Sequence, residues 1–419
     1  MIRRLVCLIG MLICAAFVLS SCTTIPQNAV PNAQLASSVR VFGPTNELAE
    51  GEGAFRPTSR VRWWGDEVPS HLNEITKEKY EQMKSARPRS VRPGARPTFN
   101  FLAISGGGAD GAFGAGLLNG WSASGKRPEF EIVTGISTGA LSAPFAFLGP
   151  KYDPQLKEMY TAYTTRDMLR KQPIKGILGG DGLASSAPLA RLIAKYADQA
   201  FLEAVAKEHR KGRRLLVGTT NIDAQRPVVW DMGAIAASGQ PSSLDLFRKV
   251  LLASASIPGA FPSVKIKVYA EGQVLQEQHV DGGTTKQVFL FPGQLELRNS
   301  VDRKLGINPR RRLYIIRNGR VKPEYKIIES STLSLAKRSI STLIKYQGIG
   351  DLYQLYVLTR RNGIPYRLAV IPGDFKDTSK EVFDRTYMNA LYDLAFGLGK
   401  KGYRWTKVPP GMGQQATAR

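Results

Sequence analysis

Ser137 stands between two glycines in Gly135-Ile136-Ser137-Thr138-Gly139, with apolar Ile132-Val133 before it and Ala140-Leu141 after it. A serine so placed can serve as a nucleophile at a sharp strand-to-helix turn, because glycines at Gly135 and Gly139 leave no Cβ where strand and helix cross. The same five residues also suit a plain Gly/Ser turn between packed elements. A hydroxyl becomes a useful nucleophile only when a base takes its proton and preset donors receive the oxyanion that forms. Candidate donors precede it in Gly106-Gly107-Gly108 and Gly111, which follow an apolar run directly and place bare N–H groups at a helix N-terminus. Gly106, Gly108 and Gly111 also satisfy a dinucleotide-binding spacing, which requires an acidic residue ending the next strand. That strand ends in Gly135-Ile136-Ser137, while Glu129 and Glu131 stand at its start, so the nucleotide reading is disfavoured.

The base is harder to find. The chain has three histidines, His71, His209 and His279. His71 follows Ser70 at a helix start, and His209 sits in a charged helical run. His279 fits the usual histidine-last order only with an acid between Asp153 and Asp245. The alternative is Asp281, in Val280-Asp281-Gly282-Gly283, a strand-end aspartate that could take the proton directly if it shares a sheet edge with the Ser137 turn. Asp-Gly-Gly is equally ordinary turn chemistry.

Strand and helix patterns must position these groups. Thr98–Ile104, Leu215–Thr220, Pro227–Asp231, Arg312–Arg317 and Tyr366–Ile371 read as strands. Helical spacing spans Ser70–Lys84, Phe247–Ser256, Ser330–Thr359 and Glu381–Leu398, and a single helix is expected from Ser185–Pro188 through Tyr196 and Phe201 towards His209. Asp181-Gly182 marks a turn. Tyr152, Met159, Tyr160, Tyr163 and Met168 form an aromatic and soft apolar surface that suits a core or the wall of an acyl-chain pocket. Alternation of strand and helix predicts an α/β layered fold with a mostly parallel central sheet flanked by helices.

The ends of the chain speak to location. All three cysteines (Cys7, Cys14, Cys22) lie in the first 22 residues, which excludes a disulfide framework or cysteine metal site downstream. Arg3-Arg4, an apolar run from Leu5 to Leu19, and Ser20-Ser21 before Cys22 read as a secretory signal over 1–21, too short for a comfortable membrane span. Leu19-Ser20-Ser21-Cys22 resembles a bacterial lipobox, implying lipidation of Cys22 and export to the cell envelope, with outer-membrane sorting as a corollary. Residues 22–98 read as a tether and basic extension, with Arg87 to Arg96 as a solvated linker. The net charge of +24 on 419 residues points to a polyanionic surface. An anionic membrane fits an exported lipoprotein; nucleic acid does not.

The ordered set Gly106-Gly107-Gly108-x-x-Gly111, Gly135-x-Ser137-x-Gly139 and Asp281-Gly282-Gly283 resembles the patatin-like phospholipases, lipid acyl hydrolases with a Ser-Asp dyad. Ala253-Ser254-Ala255-Ser256-Ile257-Pro258 through Phe261-Pro262 is similar to a further stretch shared by that family. The resemblance implies a three-layer patatin-like fold over 99–295, with 296–419 packed on it as C-terminal strands and helices. It also implies Ser137 as nucleophile, Asp281 as base, the amides around Gly106, Gly107, Gly108 and Gly111 as oxyanion hole, and Gly282-Gly283 as the base loop. The implied substrate is a phospholipid or lysophospholipid, handled without metal or cofactor. A catalytically idle scaffold lipoprotein is the rival implication. Asp110 departs from the basic residue usual before the last glycine of the first motif, and Thr284-Thr285-Lys286-Gln287 departs from the Asn-x-Pro often seen after the base.

Overall fold

A computed structural model describes residues 40–41, 61–90, 92, 94, 96–171, 182–270, 273–376 and 378–412. The signal segment, Cys22 and the Asp181 turn lie outside the described residues. The main sheet is built from β1 (Arg40–Val41), β2 (Arg62–Trp64), β3 (Thr98–Ile104), β4 (Ile132–Ile136), β7 (Arg214–Asn221), β8 (Arg226–Asp231), β9 (Val264–Ala270), β10 (Gln273–Asp281), β11 (Arg310–Arg317) and β12 (Tyr366–Val370); β5 (Arg170–Lys171) and β6 (Ala184–Ser185) form a separate ribbon. Its order is β1-β9-β10-β7-β4-β3-β11-β12, with β8 and β2 added beside β7. β7, β4, β3, β11 and β12 run parallel, and the strands beyond β7 are antiparallel. The expected mixed α/β fold with a mostly parallel centre and flanking helices is what the chain adopts.

Alternation along the central strands sends side chains to two helical layers. Leu102, Ile104, Val133, Val217, Tyr314 and Ile316 face one core, covered by α2 (Gly111–Ala123), α3 (Thr138–Leu148), α4 (Ser243–Ser254) and α6 (Arg385–Lys401). Phe99, Phe101, Leu313, Ile315 and Leu368 face the other, under α1 (Leu72–Ala86) and α5 (Thr332–Arg361). On that second side the sheet, α1 and α5 enclose an apolar cavity of about 650 Å3, lined among others by Phe101, Ile132, Leu216 and Leu358.

Several expectations change. Residues 61–90 are part of the body: Trp63 and Trp64 are buried, and the Arg62 guanidinium is buried on Glu277 at 2.5 Å. Arg87 is no solvated linker residue, since it bonds Glu131 Oε1 at 2.8 Å and the Lys211 carbonyl. Glu131, with Lys79 as a second partner at 3.2 Å, is thereby held ionised against the burial that opposes its charge. Within the tether, Arg40–Val41 pairs antiparallel with Tyr269 and Val268, and a two-residue strand leaves no pattern to read. The helix expected to run to His209 is two, Ala187–Tyr196 and Gln199–His209, because Asp198 accepts the Phe201 N–H at 2.8 Å and caps the second. Residues beyond 296 contribute β11 and β12 to the sheet itself.

Glycines let α2 and α6 approach backbone to backbone. A Cβ at Gly116 would stand 2.2 Å from the Tyr392 carbonyl oxygen, one at Gly120 2.1 Å from that of Phe396, and one at Gly399 2.5 Å from that of Leu117. Gly397, two residues away on α6, meets nothing within 4 Å. Gly399→Ala should therefore lower stability by roughly 1–3 kcal/mol through overpacking, whereas Gly397→Ala should raise it by roughly 0.5–1 kcal/mol through helix propensity. Denaturant midpoints of the two variants check the opposite signs.

Candidate active site

The site is organised by the backbone at the C-terminal end of β4. Ser137 has φ 54° and ψ −125°, a left-handed conformation that a serine adopts only under constraint. The constraint is close packing: a Cβ at Gly135 would lie 2.4 Å from the Gly139 carbonyl oxygen, and one at Gly139 2.3 Å from that of Ile104. The Ser137 N–H donates to Ser254 Oγ at 3.0 Å, and Ser254 passes its own proton to the Gly218 carbonyl at 2.7 Å. Behind the turn, the Tyr160 hydroxyl donates to the Thr138 carbonyl at 2.6 Å and accepts from Ser142 Oγ at 2.9 Å. Burial pushes that phenol up to about 12, so it stays a neutral strut. Met159, Tyr160 and Met168 are buried in the core, with Tyr152 and Tyr163 packed against it.

Asp281 is delivered to the same place by strand register. β4 pairs with one edge of β7 as far as Ile136 opposite Gly218, and β10 takes over that edge with Asp281 opposite Thr219. The other edge of β7 is occupied by β8 from Leu216 to Asn221, so β4 and β10 must meet end to end. Asp281 Oδ1 accepts the Gly283 N–H at 2.7 Å, while Oδ2 is buried without a hydrogen bond of full geometry. Burial raises the carboxyl to about 7, against the pull of the Ser137 hydroxyl and the Gly283 amide. No described histidine bonds Ser137. His279, two residues before Asp281, is buried between Glu277 at 3.1 Å and Thr219 Oγ1 at 3.0 Å, and His209 lies beside Asp231 and Glu78.

The glycine run sorts itself by hydrogen bonding. The Gly106 N–H donates to the Gln287 carbonyl at 3.1 Å, and the Gly111 N–H turns back on Gly108 and Ala109. Gly111 instead provides space, since a Cβ there would meet Thr138 Oγ1 at 2.2 Å. These two amides are unavailable to a ligand, which corrects the four-glycine oxyanion hole. The Gly107 and Gly108 amides donate to no acceptor among the described residues.

What anchors the run was not legible in the motifs. Arg317 and Asn318, at the end of β11, reach across from a strand read only as apolar. Arg317 Nη1 donates to Ser105 Oγ and the Gly106 carbonyl, each at 3.1 Å. Asn318 donates its N–H to Ser105 Oγ at 2.9 Å and Nδ2 to the Ser105 carbonyl at 2.9 Å, and its Oδ1 accepts the Gly114 N–H at 3.0 Å. A Cβ at Gly107 would fall 2.0 Å from the Asn318 carbonyl oxygen. Asp110 sits in the field of this Arg317 and of Arg320, and accepts the Tyr387 hydroxyl. Its charge is therefore countered by side chains from residues 317–387. In place of Asn-x-Pro, Gln287 supports the base loop: its Nε2 donates to the Gly283 carbonyl at 2.8 Å and its N–H to Asp351 Oδ2 at 2.7 Å. The 650 Å3 cavity is lined by neither Ser137 nor Asp281 and lies on the far layer from the Ser137 helix.

The raised Asp281 carboxyl makes a stability prediction. Folding favours its protonated form, so its contribution is fully present below about 4, its unfolded value, and is lost as pH rises through about 7. Asp281→Asn cannot ionise and escapes that loss. The melting temperature of Asp281→Asn relative to the parent should rise between pH 5 and pH 8 by on the order of 5 °C, and a flat difference would show the carboxyl to be unperturbed.

Residues 102–290 match the model of the patatin-like phospholipases. No curated protein matches the sequence. Among solved structures, VipD from Legionella pneumophila is similar at 12% identity, covering 75% of this chain and 69% of its own, with a TM-score of 0.34. Human GIVD cytosolic phospholipase A2 is similar at 10% identity, covering 81% of this chain and 63% of its own, with a TM-score of 0.32. The family match takes in the glycine run, the Ser137 turn and Asp281 together, so residues 102–290 carry a patatin-like phospholipase domain.

Proposed function

We propose that the protein hydrolyses fatty acyl esters of phospholipids or lysophospholipids through a Ser137–Asp281 dyad, and that it works from the bacterial cell envelope, anchored by lipid on Cys22. The observation that carries the chemistry is the meeting of β4 and β10 on one edge of β7, which sets a strained serine beside a buried carboxylate with a spare oxygen. Asp281 Oδ2 takes the Ser137 hydroxyl proton as Oγ bonds to the ester carbonyl carbon. The carbonyl oxygen becomes an oxyanion facing the Gly107 and Gly108 amides at the start of α2. Collapse breaks the bond to the glycerol oxygen, which leaves with the proton from Asp281. Water then enters, gives a proton to Asp281 and attacks the acyl carbon, releasing the fatty acid and returning the proton to Ser137 Oγ. A carboxyl titrating near 7 suits both directions of transfer better than one near 4.

Purified protein assayed on diacyl phospholipids, lysophospholipids and a soluble short-chain ester should lose at least about a thousandfold in kcat/KM with Ser137→Ala or Asp281→Asn. The parent's kcat/KM should rise through about pH 7 as Asp281 ionises. Full activity in either variant would remove the dyad. An unreactive Ser137 towards a fluorophosphonate probe, with no ester turned over, would favour the scaffold reading instead.

A further inference from the structure

Helix α5 is used in two different ways along its length. Leu352, Leu355 and Leu358 are buried in the second core, but no described side chain from Thr332 to Tyr346 is buried. Leu335 is 52% exposed, Ile340 57%, Leu343 70% and Tyr346 60%, with Tyr325 at 93% and Ile327 at 81% in the segment before it. At about 100° per residue, Leu335, Ile340, Leu343, Ile344 and Tyr346 fall on one half of the helix circumference, and Lys337, Arg338 and Lys345 on the other. Residues 320–346 hold Arg320, Lys322, Lys326, Lys337, Arg338 and Lys345 against Glu324 and Glu329. Arg338 and Lys345 bond the carbonyls of Glu324 and Lys322 and so lay the preceding segment along the helix. An amphipathic helix of a water-soluble body turns its apolar side inwards; this one turns it out.

The exposed turns lead straight into the site. One residue after Tyr346, Gln347 Oε1 accepts Gln287 Nε2 at 3.3 Å and its own Nε2 approaches the Thr284 carbonyl at 3.5 Å. Gly348 lies against the Arg317 guanidinium, where a Cβ would stand 2.8 Å from Nη2, and Asp351 accepts the Gln287 N–H. The element is therefore continuous with both the base loop and the clamp on the glycine run.

We propose that residues 322–346 dock the protein on an anionic phospholipid bilayer, with the apolar half of α5 among the outer parts of the acyl chains and the exposed Lys322, Lys326 and Lys337 among headgroups. No described helix is long and apolar enough to cross a membrane, so the element lies along the surface. Docking through a helix that continues into the catalytic loops faces the site towards the lipid layer. That consequence rests on the proposed hydrolase activity, whereas the docking itself does not.

The test uses the full chain carrying Cys22→Ser, to remove the lipid anchor, sedimented with vesicles of phosphatidylcholine alone or mixed with phosphatidylglycerol. Parent protein should bind the mixed vesicles more tightly. Ile340→Glu/Leu343→Glu should weaken binding to both by at least about tenfold, and Lys326→Glu/Lys337→Glu should weaken binding to mixed vesicles in a salt-dependent way. Neither pair should change the melting temperature or hydrolysis of a soluble ester. Unchanged vesicle binding in Ile340→Glu/Leu343→Glu would overturn the proposal. So would a parent that sediments as a dimer and becomes monomeric in that variant, or a Ser339→Cys cross-link mapping to residues 1–60, since each assigns the face another occupant. Vesicle binding that follows these rules in a protein that hydrolyses no ester would keep the docking surface and remove the enzyme reading.

Discussion

Everything chemical in this molecule depends on one edge of β7. A strand edge offers a single row of backbone partners, and here the row is shared. β4 occupies it up to Gly218 and β10 from Thr219 onward. Two strands arriving from opposite directions must both stop where they meet, β4 one residue before Ser137 and β10 at Asp281. A slip of one residue in either strand would turn Ser137 or Asp281 to the opposite face, because side chains alternate along a strand. The buried Arg62–Glu277–His279–Thr219 chain of bonds ties β10 to the body just upstream of that junction. His279 is therefore spent on holding register, and the burial that lowers its proton affinity suits a neutral structural ring.

The second dependence is on the far end of the chain. The family match ends at 290, yet the glycine run within it is held by Arg317 and Asn318. Three consecutive glycines leave a backbone with little preference of its own. Its shape comes from outside: Ser105 is gripped from two sides, Gly106 is fixed to Gln287, and Gly107 is pressed against Asn318. Burying a guanidinium is costly, and here its donors go to a hydroxyl and a carbonyl while Asp110 and Asp351 supply opposing charge. This explains how a chain with Asp110 at a position usually basic still presents positive charge beside the glycine amides. The charge has moved from the helix start to the next strand over.

Local elements were readable where a single segment decides its own state. Thr98–Ile104 is a strand at the bounds its pattern suggests, and the Gly135–Gly139 turn carries the conformation its glycines require. The motifs also told which residues could act, since scarcity of histidine and a strand-end aspartate are properties of the sequence alone. What could not be read were the partnerships between distant segments. Nothing in Arg87-Pro88-Arg89 says that Glu131 lies across from it, and nothing in Leu313–Arg317 says that its last side chain turns towards Ser105. The division of labour among Gly106, Gly107, Gly108 and Gly111 was equally hidden, because it depends on which amides other segments consume.

Asp281 shows why these partnerships matter. A carboxylate strong enough to take a serine proton must be kept from water, and keeping it from water raises the energy of its charged form. Asp281 has one oxygen satisfied by the Gly283 amide, which stabilises the charge, and one without a full hydrogen bond, which does not. Further donors to the carboxylate would lower its pKa, and loss of the Gly283 amide would raise it. Gln287 bonds the Gly283 carbonyl and not the carboxylate. Support of the Gly282-Gly283 loop, from Gln287, and the balance of charge on Asp281, from burial and the Gly283 amide, thus come from different groups.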